Sequence, residues 1–254
     1  MKIDIATPFV AAYALWRRDR SILIPLAGLF LFVPQLCVLL LVPEMPQPVQ
    51  GETTEEAARA WGEAFAAWAS ANGHWYILAQ VAALFGTLAM VSLYVDRTRP
   101  AVGQALGRAG LLLPRFVLAM ILVTLPVGGL LLASLPFRML VYLVIVPIFY
   151  LLARALLVAP VLVSERPVGA IAAVLRSWRL TRGNGAALTA IYAALALSGP
   201  IVGSVLLTLE RIGGPNPVLV AIVSAAAAAA AAVAGLAQAL VVAVIYARLA
   251  SKGT

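Results

Sequence analysis

The sequence predicts an all-α membrane protein with six transmembrane helices, amphipathic interfacial helices on the cytoplasmic side, and one amphipathic helix in the first outer loop. Three observations carry this. Of 254 residues, 63% are hydrophobic and 11% charged, whereas a soluble domain is about half apolar and about a quarter charged. Six stretches are long enough to cross a bilayer, which takes about 20 apolar residues for about 30 Å of hydrocarbon. No stretch alternates apolar and polar residues in the roughly ten-residue blocks of a membrane β-barrel. Residues 1–254 read as a single integral-membrane domain.

The spans fall at about residues 22–42, 75–95, 111–135, 139–163, 186–209 and 217–246. The third and fourth each hold one charge, Arg115 and Arg154, and the other four hold none. The last span is long enough to tilt. Ahead of the first, Arg17, Arg18, Asp19 and Arg20 follow an apolar stretch. The run behind them exceeds a signal-peptide core and has no Ala-x-Ala-like site, so it reads as a retained first membrane helix. The Arg17-Arg18 pair lacks the pattern of a twin-arginine signal.

The first outer loop leaves the membrane through Pro43, Pro46 and Pro48. Thr53-x-x-Glu56 then reads as a capping box opening a helix over about 53–71. Ala57, Trp61, Phe65 and Trp68 share one face of it, and Glu56, Arg59 and Glu63 the other, with Asn72-Gly73 as the stop. The aromatic face suits the outer leaflet or the ends of the spans. The sharper alternative is a surface for a periplasmic protein partner, carried by Trp61, Phe65 and Trp68.

Orientation follows from where Lys and Arg fall, because translocation disfavours them on the outer side. With the N-terminus inside, the inner segments hold Lys2, Arg17, Arg18, Arg20, Arg97, Arg99, Arg108, Arg166, Arg176, Arg179, Arg182, Arg248 and Lys252. The outer loops hold only Arg59, Arg138 and Arg211. Acids run the other way, with Glu44, Glu52, Glu55, Glu56, Glu63 and Glu210 outside. Both termini are therefore placed in the cytoplasm. The net charge of +8, which alone would suggest nucleic acid, becomes a statement about orientation and anionic lipid.

Three inner segments share a plan. Each starts at a proline (Pro8, Pro100, Pro167), continues as a short arginine-bearing amphipathic stretch, and enters a span that meets another proline (Pro34, Pro126, Pro200). Proline suits a first helical turn and kinks a membrane helix. Either this is a repeat of interfacial helix plus hairpin, or it is coincidence in a chain with 16 prolines. In the third copy, Ile171, Val174, Leu175 and Trp178 fall on one helical face with Arg176 opposite, the pattern of a helix lying in the membrane interface. In the first, Phe9, Tyr13 and Trp16 precede the arginine cluster. The eight alanines at 225–232 let helix backbones approach closely, which places the last span in the bundle centre or against a second copy.

Little catalytic chemistry is visible. There is no P-loop, dinucleotide fingerprint, nucleophile elbow or zinc-protease motif. One cysteine and one histidine leave no disulfide and no structural zinc cluster, so neither a cofactor nor a metal is expected. His74, beside Trp75, reads as an interface residue, and Cys37 as a small packing residue. Arg154 is the costly one, since a guanidinium inside the bilayer is expensive and no transmembrane acid is at hand. Its partners could be carbonyls freed by Pro147 or Pro160, Gln35, Gln80 or Gln238 on other spans, Glu165, or a lipid phosphate. It is accordingly a structural interhelical bond, a lipid or substrate headgroup site, or part of an ion pathway.

The stretches Tyr150-Leu-Leu-Ala-Arg154, Pro160-Val-Leu-Val-Ser-Glu165 and Ala172-Ala-Val-Leu-Arg-Ser-Trp178-Arg-Leu-Thr-Arg-Gly183 resemble the bacterial integral-membrane family named for the membrane domain of some glycerophosphoryl diester phosphodiesterases. Ala14-Leu-Trp-Arg-Arg-Asp-Arg20 looks like the same family's N-terminus, and the resemblance covers most of the six-span region. It implies an inner-membrane protein of the kind found alone or fused to a soluble phosphodiesterase domain. Since the Glu/His metal-site residues of such a domain are missing here, the resemblance implies no activity.

The expectation is thus a non-enzymatic bacterial inner-membrane protein, lipid-interacting or acting as an envelope adaptor, with a protein partner or a homo-oligomer as further options. Its candidates for holding anionic lipid on the cytoplasmic leaflet are Arg154, Glu165, Arg176, Trp178, Arg179 and Arg182. The alternative is a small-molecule or ion transporter or channel with its site near Arg154.

Overall fold

The computed structural model describes residues 4–47, 54–96, 98, 100–134, 138–165, 167–213 and 216–250. Among these the secondary structure is helical, in the order α1 (Ala6–Ala27), a five-residue π-helical segment (Gly28–Phe32), α2 (Val33–Leu41), α3 (Glu55–Val95), α4 (Val102–Ser134), α5 (Arg138–Arg154), α6 (Val158–Ser164), α7 (Ala170–Leu180), α8 (Gly185–Gly213) and α9 (Pro217–Ala250). Six stretches are long and apolar enough to cross a membrane: Ala6–Leu41, Glu55–Val95, Val102–Ser134, Leu143–Ser164, Gly185–Thr208 and Pro217–Ala250.

The first span is joined to its leading helix through a bend. At Asp19 the backbone leaves helical geometry (φ −115°, ψ 20°), so the arginine-bearing stretch and the apolar span point differently. Farther along, the helix widens into the π segment just before Pro34. That wide turn presses Phe30 and Leu31 onto the neighbouring helices at glycines. A Cβ on Gly86 of α3 would lie 2.5 Å from the Phe30 Cβ, and one on Gly235 of α9 would lie 3.1 Å from Leu31. Backbones approach just as closely between α8 and α9, where a Cβ on Gly199 would sit 3.2 Å from the Ala234 Cβ. Within the alanine run Ala227, Ala228 and Ala232 are buried while Ala226 and Ala229 are exposed, so one face of it packs against the bundle.

The structure departs from the sequence expectations at several elements. The outer-loop helix and the second span are one helix, α3, of 41 residues and about 60 Å, roughly twice the hydrocarbon thickness. Asn72-Gly73 does not end it, because a glycine stop needs a left-handed residue and Gly183 is the described glycine with positive φ. Instead Asn72 Nδ2 donates to the Trp68 carbonyl at 3.2 Å and stays within the helix. The cap of α3 is Thr54, whose hydroxyl accepts from the Ala57 N–H at 3.2 Å; Thr53 lies outside the described residues.

The predicted span at 139–163 is present as one membrane-length stretch, Leu143–Ser164, but its helical ladder is interrupted. It breaks at residues 155–157 between α5 and α6, because Pro160 has no N–H for the Leu156 carbonyl and its ring crowds that carbonyl. The three-copy plan is also uneven. The first copy bends at Asp19 and the third has its own helix, α7, turned into α8 through Gly183 (φ 85°). The second has no separate leading helix, since α4 runs unbroken from Val102 through its span.

Polar pairings gather at the arginine-rich end of the bundle. Arg18 pairs with Asp19 at 2.9 Å, and Tyr94 donates to Asp19 at 2.9 Å, tying α3 to α1. Arg108 of α4 pairs with Asp96 just beyond α3. These contacts hold the leading helix, the end of α3 and the start of α4 at one level.

Candidate functional site

The break between α5 and α6 is completed by a side chain from α7. In an unbroken helix the Leu157 N–H would bond the Ala153 carbonyl and the Arg154 carbonyl would accept from Val158. Here Ser177, fully buried, fills both roles. Its hydroxyl accepts from the Leu157 N–H at 3.2 Å and donates to the Arg154 carbonyl at 2.7 Å. Insertion of a side chain into the helical ladder is a recognised cause of such a break.

The same break leaves Arg154, midway along the Leu143–Ser164 stretch, at the C-terminus of α5. Its Nη2 donates to the Trp178 carbonyl at 2.6 Å, and its guanidinium lies over the Tyr150 ring, 5.9 Å from the centroid. The last carbonyls of α7 carry the negative end of its dipole, so a cation is favoured there. Thr181 Oγ1 supports the same turn, donating to the Ser177 carbonyl at 2.8 Å and the Trp178 carbonyl at 3.2 Å. Neither the glutamines nor Glu165 are partners of Arg154. The signal that could have identified the true partner is Ser177 and Thr181, four apart on the buried face of α7.

Glu165 and Arg176 pair with one another. Arg176 Nε approaches the two carboxylate oxygens at 3.1 and 2.9 Å. Tyr246 of α9 donates to Glu165 at 3.2 Å and is 2.5 Å from the Ser164 hydroxyl. The charge of Arg176 is thereby matched within the protein.

The remaining predicted residues of α7 face outward. Ala170, Ala173 and Ser177 are buried against the bundle, whereas Ile171, Leu175 and Trp178 are 65%, 54% and 40% exposed. Arg179 and Arg182 are exposed as well. Their side chains have no hydrogen bond or ion pair among the described residues. Arg166 lies outside the described residues.

On α3, Trp61, Phe65 and Trp68 form a stacked ladder with centroids 5.6 and 6.1 Å apart. Both indoles are engaged by the chain itself: Trp61 Nε1 donates to the Pro46 carbonyl and Trp68 Nε1 to the Pro43 carbonyl, each at 3.0 Å. The aromatic face therefore holds the proline segment that leaves the first span. His74 packs on Trp75 at 4.8 Å between centroids. Cys37 is exposed and does not serve as the packing residue expected.

A cavity of about 380 Å³ has walls from all six membrane-length stretches and opens at the surface of the bundle, where Gln80 and Thr124 of its lining are exposed. Gln35, Gln80 and Gln238 line it, with Thr87, Thr124 and Tyr192. Arg154 is not part of its wall, although Leu152, Ala155 and Leu156 are. Among the described residues no group of three His, Cys, Asp or Glu could hold a metal. Comparison with protein-family models, with curated proteins and with solved structures finds no match.

Proposed function

We propose that this protein is a non-enzymatic inner-membrane protein of a bacterium, with both termini in the cytoplasm, that holds anionic lipid at the cytoplasmic leaflet through α7. The observation that carries the reading is the pairing of an outward apolar face with unmatched cations. Ile171, Leu175 and Trp178 stand exposed in register, with Arg179 and Arg182 exposed beside them. An amphipathic helix of this kind lies in the interface with its apolar face in the acyl boundary and Trp at headgroup level.

The charges available for lipid are fewer than the sequence suggests. The charge of Arg176 is matched by Glu165 and Arg154 is anchored, still charged, on the Trp178 carbonyl, leaving Arg179 in α7 and Arg182 just after it as the exposed cations of this segment. At about 1 kcal/mol per Lys or Arg near an anionic surface, the two contribute about 2 kcal/mol. The test is native mass spectrometry of protein purified with phosphatidylglycerol. The R179Q/R182Q double variant retains fewer copies of that lipid than wild type, while R59Q at the opposite end retains as many; equal retention by all three overturns the reading.

A further inference from the structure

The cavity between the six spans has a chemistry of its own, distinct from the α7 surface. Its apolar lining is interrupted by three carboxamides, Gln35 from α2, Gln80 from α3 and Gln238 from α9. None of the three side chains hydrogen-bonds to another described residue, and neither does the Tyr192 hydroxyl of α8. Gln35 and Gln238 are half-buried and Gln80 stands exposed at the mouth; unpaired polar groups at membrane depth are costly, so their convergence on one cavity calls for a partner. The two threonines are partly engaged. Thr87 donates to the Ala83 carbonyl and Thr124 to the Met120 carbonyl, each at 2.8 Å, which leaves their oxygens as acceptors. A volume of about 380 Å³ lies within the roughly 300–1,000 Å³ range of small-molecule sites.

The lining also selects against charge. Among the described residues it holds no Asp, Glu, Lys or Arg, so an ion would enter without a counter-charge from them in a low-dielectric surround. Each carboxamide offers two donors and an acceptor, and tyrosine one of each. The ligand that matches is neutral and carries donors and acceptors together. The π-helical turn stands at the edge of this chamber: Leu31 within it and Gln35 just beyond both line the wall, and such turns are frequent at functional sites.

We propose that this cavity is a binding site for an uncharged polyol-class solute, held by Gln35, Gln80, Gln238 and Tyr192. The site is independent of lipid retention by α7.

The test is scintillation-proximity binding of radiolabelled glycerol and myo-inositol to the full chain purified in detergent. At least one probe binds wild type saturably, and Q35L and Q238L, checked for wild-type elution in size exclusion, weaken that binding at least tenfold. Tyr192→Phe, which removes one hydroxyl from the same wall, weakens it by a smaller factor and serves if the leucine variants fail to fold. The R179Q/R182Q variant binds as wild type does, which separates this site from the lipid surface. Absence of saturable binding to either probe, or binding that the cavity variants leave unchanged, overturns the proposal.

Discussion

The guanidinium of Arg154 donates to the main-chain carbonyl of Trp178 at 2.6 Å, so a residue at the end of a broken span grips the last turn of the helix beside it. The helix gripped is α7, the element with the outward apolar face and the unmatched arginines. Arg154 and Ser177 are in this sense positioning residues. One closes the C-terminus of α7 electrostatically and the other ties its buried face into the α5–α6 break.

Ser177→Ala removes the hydroxyl that serves both Leu157 and Arg154. Each orphaned main-chain group costs about 1–3 kcal/mol when no water replaces the partner. The expected outcome is a fall in Tm of several degrees in detergent, with faster amide exchange over residues 155–157 and 170–180. A variant that matches wild type in both measurements shows that the break is stable without the serine.

The Glu165–Arg176 pair is partly exposed, with side chains at 29% and 37% of full accessibility, so its coupling is modest. A double-mutant cycle with E165Q and R176Q gives an interaction energy of about 0.5–1 kcal/mol. The value shrinks as salt is raised, because the pair is reached by solvent. Thermal unfolding of the four proteins at low and high ionic strength supplies the measurement.

Gly86→Ala forces a methyl against the Phe30 Cβ, at a site where the neighbour is close to the backbone of the π turn. Overpacking of this kind costs about 1–3 kcal/mol. At Gly203, in α8, a methyl group would meet nothing within 4 Å, so Gly203→Ala leaves stability unchanged or raises it slightly through helix propensity. The contrast between the two, read as Tm, separates a packing requirement from the general effect of removing a glycine.

Much of the fold was legible because a membrane span is written in length and hydropathy, which are local properties. The six stretches and the close packing of the alanine run follow from that level, whereas Val174, placed by its spacing with Ile171, Leu175 and Trp178, is half-buried against the core. What sequence could not supply depends on partners far apart in the chain. The continuation of α3 through Asn72-Gly73 is decided by backbone geometry, since glycine permits a left-handed stop without requiring one. The break after Arg154 is stabilised by Ser177, far along the chain on another helix. Arg154 does lie midway along the fourth stretch, and its partner, the Trp178 carbonyl, belongs to another helix, which no local pattern reveals. The glutamines were visible individually as partners for Arg154, but their convergence on one cavity belongs to the packing of the spans.

The most direct measurement of where α7 lies is spin-label accessibility. Labels are placed singly through Leu175→Cys and Arg179→Cys in a Cys37→Ser background, and the protein is reconstituted into bilayers containing phosphatidylglycerol. An interfacial α7 places the label at 175 in contact with dissolved oxygen and shielded from a water-soluble nickel chelate, and the label at 179 within reach of the chelate. Equal access of the chelate to both positions would put the apolar face of α7 in water and contradict the account.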